Sequence, residues 1–290
     1  MKYQHSTIIG DFVLDEKNIL SKAKKKEELN KLPKNKLPIV LEQLKKKEYF
    51  SEFYLANLKI TKQKIKESVS EDQLIVQAIS NVNELDRTIN MLIKRLREWY
   101  ALYCPEFEHK FIYQEKFVDL ILEKNRQELM KEVGVEETMG ADLDKLHVQE
   151  MKQLALRVRE LIFLRKEHED YLEKVMKKYS PNILELAGIT IGAKLLELGK
   201  SLKHLAFLPA STIQLLGAEK ALFRHIKSGS RSPKYGVIFQ HPFIQKAKKN
   251  ERGKVARVLA DKLSLCARLD YFKGEFKAAE YKKEIEEKFQ

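Results

Sequence analysis

The sequence contains few residues that cross-link or interrupt a chain. Its 290 residues include 2 cysteines, 7 prolines, 11 glycines and 1 tryptophan. Cys104 and Cys266 are far apart and belong to no motif, so the sequence indicates neither a disulfide framework nor a zinc site. Scarce proline and glycine, together with 33% charged residues, indicate long solvated helices and argue against a loop-rich all-β domain.

Long apolar runs are also missing. No run of about 18 apolar residues is present, so a transmembrane helix is excluded. The first residues, Met1 to His5, lack the apolar core of a signal peptide, and we expect a cytoplasmic protein. The 43% of hydrophobic residues are nevertheless sufficient to bury a core.

Motifs for common enzyme chemistry are absent as well. The sequence has no Gly-x-Gly-x-x-Gly pattern, so it contains no signature of a dinucleotide or S-adenosylmethionine pocket. Gly253-Lys254 is followed by Val255 instead of Ser or Thr, which rules out a phosphate-binding loop. The seven histidines follow no metal-ligand spacing. We therefore expect no catalysis, no cofactor and no metal site in this chain.

The first 70 residues have a mixed pattern. Ser6 to Leu14 reads as a strand and Asp15 to Asn18 as a turn before a short partner strand. The segment from Ile39 to Ser68 is apolar enough for one or two helices, or for a strand and a helix. These features predict a short α/β module.

The central region contains two apolar series that step by 4 and 3 residues. Such spacing lets a narrow seam face a partner helix, and it predicts an antiparallel coiled-coil arm with a helical tip between Glu106 and Lys131. Ordinary core helices of a compact bundle are the alternative. The predicted seam comprises Val82, Leu85, Ile89, Leu92, Leu96, Trp99, Leu154, Val158, Leu161, Leu172 and Val175.

Positive charge is concentrated in the last third of the chain. The formal net charge is +13, and residues 217–257 contain eleven Lys or Arg against two acids, a local excess of +9. A cluster of this size indicates a nucleic-acid partner, although a solvated surface is the alternative for any single lysine. The candidate RNA-binding cations are Lys220, Arg224, Arg231, Lys234, Lys246, Arg252, Lys254 and Arg257.

A helix is predicted from Gly217 to Lys227, followed by a stop at Ser228-Gly229. Lys220, Arg224 and Lys227 fall on one face, and apolar residues on the other face would meet a core or a protein partner. The basic loop that follows, from Ser230 to Gly236, carries Tyr235, which could stack on a base.

Residues 208–224 (LPASTIQLLGAEKALFR) and 233–239 (PKYGVIF) closely resemble the signature of the Nop domain. Residues 86–90, 95–100 and 139–142 are similar to coiled-coil segments of the same family. The resemblance covers about residues 72 to 275. It implies a protein of the box C/D guide ribonucleoproteins, and the compact chain fits the archaeal branch of the family.

The resemblance also implies roles for individual residues. Gly217, Ala218, Glu219 and Lys220 would meet a kink-turn-binding protein and its RNA. Ala221, Leu222, Phe223 and Arg224 would lie at the end of the guide–target duplex. Gln214, Arg231, Lys234 and Tyr235 would flank the RNA. S-adenosylmethionine would belong to the partner fibrillarin.

The predicted architecture is mainly α. It comprises a short α/β module (1–70) that would dock fibrillarin, a coiled-coil dimerisation domain (71–180), an all-helical Nop domain (181–275) and a C-terminal helical tail (276–290). The N-terminal module is shorter than is usual in the family, and a long Lys-rich tail is missing. We expect a scaffold for RNA-guided 2′-O-methylation of rRNA or tRNA. A spliceosomal-type Nop-domain factor, or a coiled-coil assembly protein without an RNA role, is the alternative.

Overall fold

The structure is a computed structural model that describes residues 2–15, 20–22 and 30–289. The chain forms two compact units, Met1–Ser70 and Glu71–Gln290. Helices account for 73% of the residues, and the strands form one small sheet, so the protein is mainly α with a short α/β module. Within the described residues, every helix is too short or too polar to span a bilayer. The same residues contain no group of His, Cys, Asp and Glu that could hold a metal ion.

The N-terminal unit contains a four-stranded sheet with the order β3-β2-β1-β4. The strands are β1 (Tyr3–Thr7), β2 (Gly10–Leu14), β3 (Leu20–Lys22) and β4 (Asn30–Lys31). β2 pairs antiparallel with both β1 and β3, and β4 pairs parallel with β1. The buried core of the unit consists of Phe12, Leu14, Leu20, Val40 and Leu44.

The strand predicted from Ser6 to Leu14 is interrupted in the structure. The chain turns at Ile8–Ile9, where the Thr7 hydroxyl donates a hydrogen bond to the Gly10 carbonyl (2.9 Å) and accepts one from the Ile9 amide (3.3 Å). Gly10 has φ +126°, a value that an L-residue rarely adopts. This local chemistry makes a tight hairpin where the apolar pattern alone suggested a continuous strand. The predicted turn at 15–18 lies largely outside the described residues.

Residues 39–68 belong to two helices, α1 (Leu37–Leu44) and α2 (Lys47–Glu67). The Leu20 amide donates a hydrogen bond to the Gln43 side-chain carbonyl (2.9 Å), which ties β3 to α1. Only the first turns of α2 reach the core, through Tyr49 and Phe53. The sequence had left a strand open for this segment, and the structure excludes it.

The second unit begins with an antiparallel pair, α3 (Glu71–Ala101) and α7 (Lys145–Tyr179). The start of α3 shares a core cluster with the end of α7, and the end of α3 shares a second cluster with the start of α7. An ion pair between Asp86 and Arg165 also crosses the two helices. Three short helices form the tip: α4 (Pro105–Lys110), α5 (Gln114–Glu123) and α6 (Arg126–Val133). The predicted antiparallel arm with a helical tip is thus observed.

The seam between α3 and α7 drifts away from the predicted heptad positions. Of the predicted set, Val82, Leu85, Ile89, Leu96, Val158 and Leu172 are buried, whereas Leu92, Trp99, Leu154, Leu161 and Val175 lie half-buried beside the seam. Ile93 and Tyr100 occupy the buried positions that the 4-3 pattern assigned to Leu92 and Trp99. The physical reason is that a straight helix has about 3.6 residues per turn and rotates by about 20° per heptad.

Most of the remaining helices pack around a long central helix, α14 (Arg252–Tyr271). Its partners are α8 (Pro181–Ala187), α10 (Leu202–Phe207), α11 (Ala210–Leu215), α13 (Pro242–Lys246) and α15 (Ala278–Phe289), and α9 (Ile189–Gly199) packs on α3, α7, α8 and α10. One continuous core joins this domain to the base of the α3–α7 pair. The arm is therefore anchored in the core of the helical domain.

The last helix is held in that core by a buried polar network. The Asp270 carboxylate accepts hydrogen bonds from the backbone amides of Asn182 (3.0 Å) and Ile183 (2.9 Å) at the start of α8. The Asn182 side-chain oxygen in turn accepts from the amides of Lys277 (2.8 Å) and Ala278 (3.1 Å) at the start of α15. Burial raises the pKa of Asp270, and the hydrogen bonds act in the opposite direction. The segment expected as a tail is thus part of the domain.

Candidate nucleic-acid interface

The structure places a short amphipathic helix, α12 (Glu219–Ser228), on the surface of the helical domain. It ends at Gly229, whose φ of +64° is the left-handed conformation that favours glycine. Lys220, Arg224 and Lys227 are exposed on α12, and none of them forms an ion pair in the described part of the chain. Their charges are therefore free for an anionic partner.

The apolar face of α12 is also uncovered. No residue of the helix is buried, Leu222 is half-buried, and Phe223 and Ile226 are each 70% exposed. Of the two sequence-based options, a core or a protein partner, the structure excludes the core for Phe223 and Ile226. The helix thus presents two large exposed apolar side chains together with its cations.

The turn that enters α12 depends on two close backbone contacts. Gly217 has φ +86°, and its amide donates a hydrogen bond to the Glu219 carboxylate (2.7 Å). Gly236 packs so tightly that an added Cβ would lie 1.9 Å from the Leu216 carbonyl oxygen. Glu219 thus supports the turn directly, in addition to complementing the helix dipole. Ala218 is half-buried at the N-terminal end of the helix, and Ala221 is half-buried within it.

The basic loop at 230–236 is pinned beside α12. The Gln214 side-chain amide donates to the Lys234 carbonyl (2.5 Å), and the Gly236 amide donates to the Gln214 carbonyl (2.8 Å). At the other end of the loop, the His225 ring forms a hydrogen bond with the Ser230 carbonyl. These contacts hold the exposed cations Arg231 and Lys234 close to α12. Lys234 also lies beside Gly253, since a Cβ there would be 3.7 Å from its side chain.

Two of the candidate RNA-binding residues, Tyr235 and Arg252, are partly engaged within the domain. The Tyr235 ring stacks on the Phe239 ring, with centroids 4.5 Å apart and planes at 11°. The Arg252 guanidinium donates to the carbonyls of Ala247 and Gln245 (3.2 Å each) and lies 5.8 Å from the Phe239 ring centroid. Arg252 therefore orders the chain between α13 and α14, and Tyr235 is pre-positioned by its neighbour.

The other candidate cations are exposed on nearby elements. Lys246 lies at the end of α13, and Lys254 and Arg257 lie on the first turns of α14. None of the three forms an ion pair in the described ranges. The contact between Lys234 and Gly253 links the α12 region to the start of α14. We refer to α12, the loop at 230–236 and the first turn of α14 as the basic surface.

A buried histidine supports this region, and the sequence pattern did not single it out. His241 precedes α13; its Nδ1 accepts a hydrogen bond from the Phe243 amide (3.2 Å), and its Nε2 bonds to the Leu186 carbonyl (2.9 Å). These partners require the tautomer that carries its proton on Nε2. Burial lowers the pKa of His241, and the charge of Lys282 acts in the same direction. The sequence offered one local signal for the position of His241: the proline that follows it, Pro242, is a residue type that favours the first position of a helix.

The fold and surface define a class of helical proteins in which a long antiparallel arm is joined to a domain with an exposed basic amphipathic helix. Residues 81–290 match the family model described as Nop, snoRNA binding domain, fibrillarin. The chain belongs to the Nop family.

Relatives of known sequence support the same assignment. The chain is 38% identical over 241 residues to an uncharacterized NOP5 family protein of Methanocaldococcus jannaschii, covering 77% of this chain and 58% of the relative. It is 36% identical to Nucleolar protein 56 of Caenorhabditis elegans, over 69% of this chain and 46% of that protein. This chain therefore spans about half the length of the curated relatives it matches.

A solved structure is also similar. A chain in the crystal structure of a fibrillarin/Nop5p complex shares 28% sequence identity with this chain, with a TM-score of 0.52 and coverage of 100% of both chains. The similarity extends over the N-terminal unit as well as the helical unit.

Proposed function

We propose that this chain is a non-enzymatic scaffold of a box C/D guide ribonucleoprotein. The observation that carries the proposal is the exposed α12 helix, which presents unpaired cations together with uncovered apolar side chains. Cations suit RNA phosphates, and exposed Phe and Ile suit a protein surface or the end of a stacked duplex. A partner that offers both, such as a folded RNA with a bound protein, fits this helix best.

Within this proposal, the turn and first residues of α12 contact the kink-turn-binding protein and its RNA. This role falls to Gly217, Ala218, Glu219 and Lys220. The following residues, Ala221, Leu222, Phe223 and Arg224, meet the end of the guide–target duplex. The exposure of Phe223 and Arg224 supports this assignment, since both side chains point into solvent in the free chain.

The other parts of the chain take the roles of spacing and recruitment. The α3–α7 pair mediates self-association. It also sets a fixed distance between the RNA-binding end and the fibrillarin-holding end of the assembly, because the base of the pair shares a core with the basic domain. The N-terminal unit docks fibrillarin, which supplies both the methyltransferase activity and the S-adenosylmethionine site. The family match and the similar chain in the fibrillarin/Nop5p complex support this division of roles.

Reconstitution tests the proposal directly. Guided methylation is measured with fibrillarin, the kink-turn-binding protein and a box C/D guide RNA, with and without this chain. We expect methyl transfer only when the chain is present, and none from the chain alone. Transfer at an unchanged rate without the chain would refute the scaffold role. A chain that binds the RNA–protein complex but fails to retain fibrillarin in a pull-down would instead be a spliceosomal-type factor.

A further inference from the structure

A second surface with an unusual composition lies at the far end of α14. Two exposed aromatic side chains lie there, Phe207 at the end of α10 and Phe272 just after α14, and each is 64% exposed. Their ring centroids are 6.1 Å apart, and Tyr271 contacts both rings at 6.0 Å and 4.9 Å. Large apolar side chains clustered at a surface indicate an interaction site.

Cations accompany these rings in a repeated arrangement. Lys203 precedes Phe207 by four residues on α10, and Arg268 on the last turn of α14 precedes Phe272, the residue that follows the helix, by four residues. Residues four apart lie on the same face of a helix, so each helix presents a cation followed by a phenyl ring. The Arg268 side chain donates a hydrogen bond to the Ala206 carbonyl (3.2 Å), which places the two cation–ring pairs side by side.

A third cation, Lys273, directly follows Phe272 in the chain and has an unusual backbone conformation. Lys273 has φ +55°, and it is one of two non-glycine residues with positive φ in the described part of the chain. Glycine is the usual residue in this conformation after a helix, so a lysine is an uncommon residue here. Its ammonium lies 5.3 Å from the Tyr179 ring centroid. Lys203, Arg268 and Lys273 are exposed and form no ion pair among the described residues.

Three acids near these cations are engaged, whereas Glu71 is exposed near Tyr179 and forms no ion pair among the described residues. Asp270 is buried on the α8 amides, Asp72 is buried and accepts from the Leu202 amide (2.9 Å), and Glu275 pairs with Lys277 (3.2 Å). The patch formed by Lys203, Phe207, Arg268, Phe272 and Lys273, hereafter the aromatic patch, therefore carries net positive charge. Positive charge argues against a basic or purely apolar partner and for an anionic one.

The aromatic patch is separate from the basic surface. Lys254 lies on the first turn of α14 and Phe272 follows its last turn, so the two surfaces are about 27 Å apart along the helix axis at about 1.5 Å per residue. The first turn of α14, which belongs to the basic surface, and the aromatic patch therefore lie at opposite ends of the same helix.

We infer that the aromatic patch is a binding site for single-stranded RNA. Bases stack on Phe207 and Phe272, and the phosphates between them pair with Lys203, Arg268 and Lys273. Alternating rings and cations match the alternation of bases and phosphates in an unpaired strand, and this recognition tolerates any sequence. The site would hold an unpaired segment of RNA while the basic surface holds the folded part.

Anisotropy titration of the full chain with a fluorescein-labelled dodecauridine RNA tests this site. The double variant Phe207→Leu/Phe272→Leu keeps apolar side chains but removes the rings, and we expect affinity to fall by about tenfold or more. Phe207→Trp keeps a ring and should bind as tightly as the wild type. Phe163→Leu, a change at a ring of similar exposure on α7, is the matched control and should leave the affinity unchanged. Equal melting temperatures verify that the variants are folded.

Photocrosslinking with 4-thiouridine RNA locates the contact. Crosslinks to peptides containing Phe207 or Phe272 support the inference, and their absence together with an unchanged affinity of the double Leu variant overturns it. If the double Leu variant lost binding of fibrillarin or of the kink-turn-binding protein but kept its affinity for RNA, the inference would also be overturned and the patch would be assigned to a protein. Lys220→Ala/Arg224→Ala separates this site from the proposed function, because that variant should lose the kink-turn complex yet retain the crosslinks at the patch.

Discussion

The Gln214 side-chain amide donates a 2.5 Å hydrogen bond to the Lys234 carbonyl oxygen and so joins α11 to the basic loop. This bond positions a cation without contacting any ligand itself. A neutral amide in the middle of the Nop signature thus orders the backbone of the basic loop. The loop keeps its place beside α12 because its backbone is held at both ends.

Replacing Gln214 by Leu removes this hydrogen bond while preserving side-chain bulk. We expect the free energy of unfolding to fall by about 1 kcal/mol, the usual worth of one such bond. Affinity for the kink-turn RNA–protein complex should fall several-fold, because the loop with Arg231 and Lys234 becomes mobile. Chemical denaturation and a binding titration measure the two effects. Gln149→Leu, on an exposed turn of α7, is the control and should change neither.

Gly236→Ala tests the close approach of the loop to α11. The added Cβ would lie 1.9 Å from the Leu216 carbonyl oxygen, so the backbone must move, at a cost of about 3 kcal/mol. Gly253→Ala is the contrasting change, because its Cβ would meet only the Lys234 side chain at an ordinary 3.7 Å. Within α14 that alanine should be neutral or stabilising by about 0.5 kcal/mol. Thermal unfolding compares them, and equal melting temperatures would contradict the close packing.

The salt dependence of binding to the kink-turn RNA–protein complex tests the basic surface. About five phosphate contacts give a log–log slope of roughly −3 to −5 against salt concentration. Lys220→Ala and Arg224→Ala should each reduce the magnitude of this slope by about 1, because each removes one phosphate contact. Lys283→Ala, an exposed lysine on α15, has the same charge change and should leave the slope unaltered. A flat salt response of the wild type would favour an assembly protein without an RNA role.

The arm shows where sequence reasoning reaches its limit. Apolar spacing was sufficient to predict an antiparallel helical pair, because each helix needs one apolar stripe to face its partner. It failed to choose between Leu92 and Ile93, since both are apolar and the choice depends on the actual helical twist. Long-range packing decides such positions.

The basic surface, too, has some features that could be predicted from the sequence and others that required the structure. The cations and the limits of α12 follow from local charge, a turn and a glycine stop. The exposure of Phe223 and Ile226 does not follow, because an amphipathic pattern is equally compatible with a buried face. The roles of Gln214 and Arg252 in holding backbone carbonyls also require coordinates, since their partners lie in other segments of the chain.

A comparison of Ile93→Ala with Leu92→Ala tests the seam assignment. Ile93 is 1% exposed, and its truncation should cost about 3 kcal/mol through lost burial and a cavity. Leu92 is half-buried, and its truncation should cost about half as much. Urea unfolding of the two variants measures the difference. A larger loss for Leu92→Ala would restore the strict heptad seam.

The buried His241 ring predicts a dependence of stability on pH. Burial lowers the pKa of the folded ring, whereas the unfolded chain has an ordinary histidine pKa near 6.5. The unfolded state therefore binds a proton first as the pH falls. The contribution of the neutral His241 ring to the free energy of unfolding is therefore fully present above pH 6.5. It decreases as the pH falls below 6.5, by at most about 1.4 kcal/mol per pH unit for one group.

A structural conflict explains why the folded ring resists this proton. Protonation would place a hydrogen on Nδ1, which accepts the Phe243 amide, and would leave two donors facing each other. His241→Asn keeps an acceptor for that amide but cannot titrate, so it should be less stable at pH 7.5 and show a weaker decline between pH 7 and pH 5.5. His147→Asn changes an exposed ring at the start of α7 and should retain the wild-type profile. If the decline persists unchanged in His241→Asn, another group causes it.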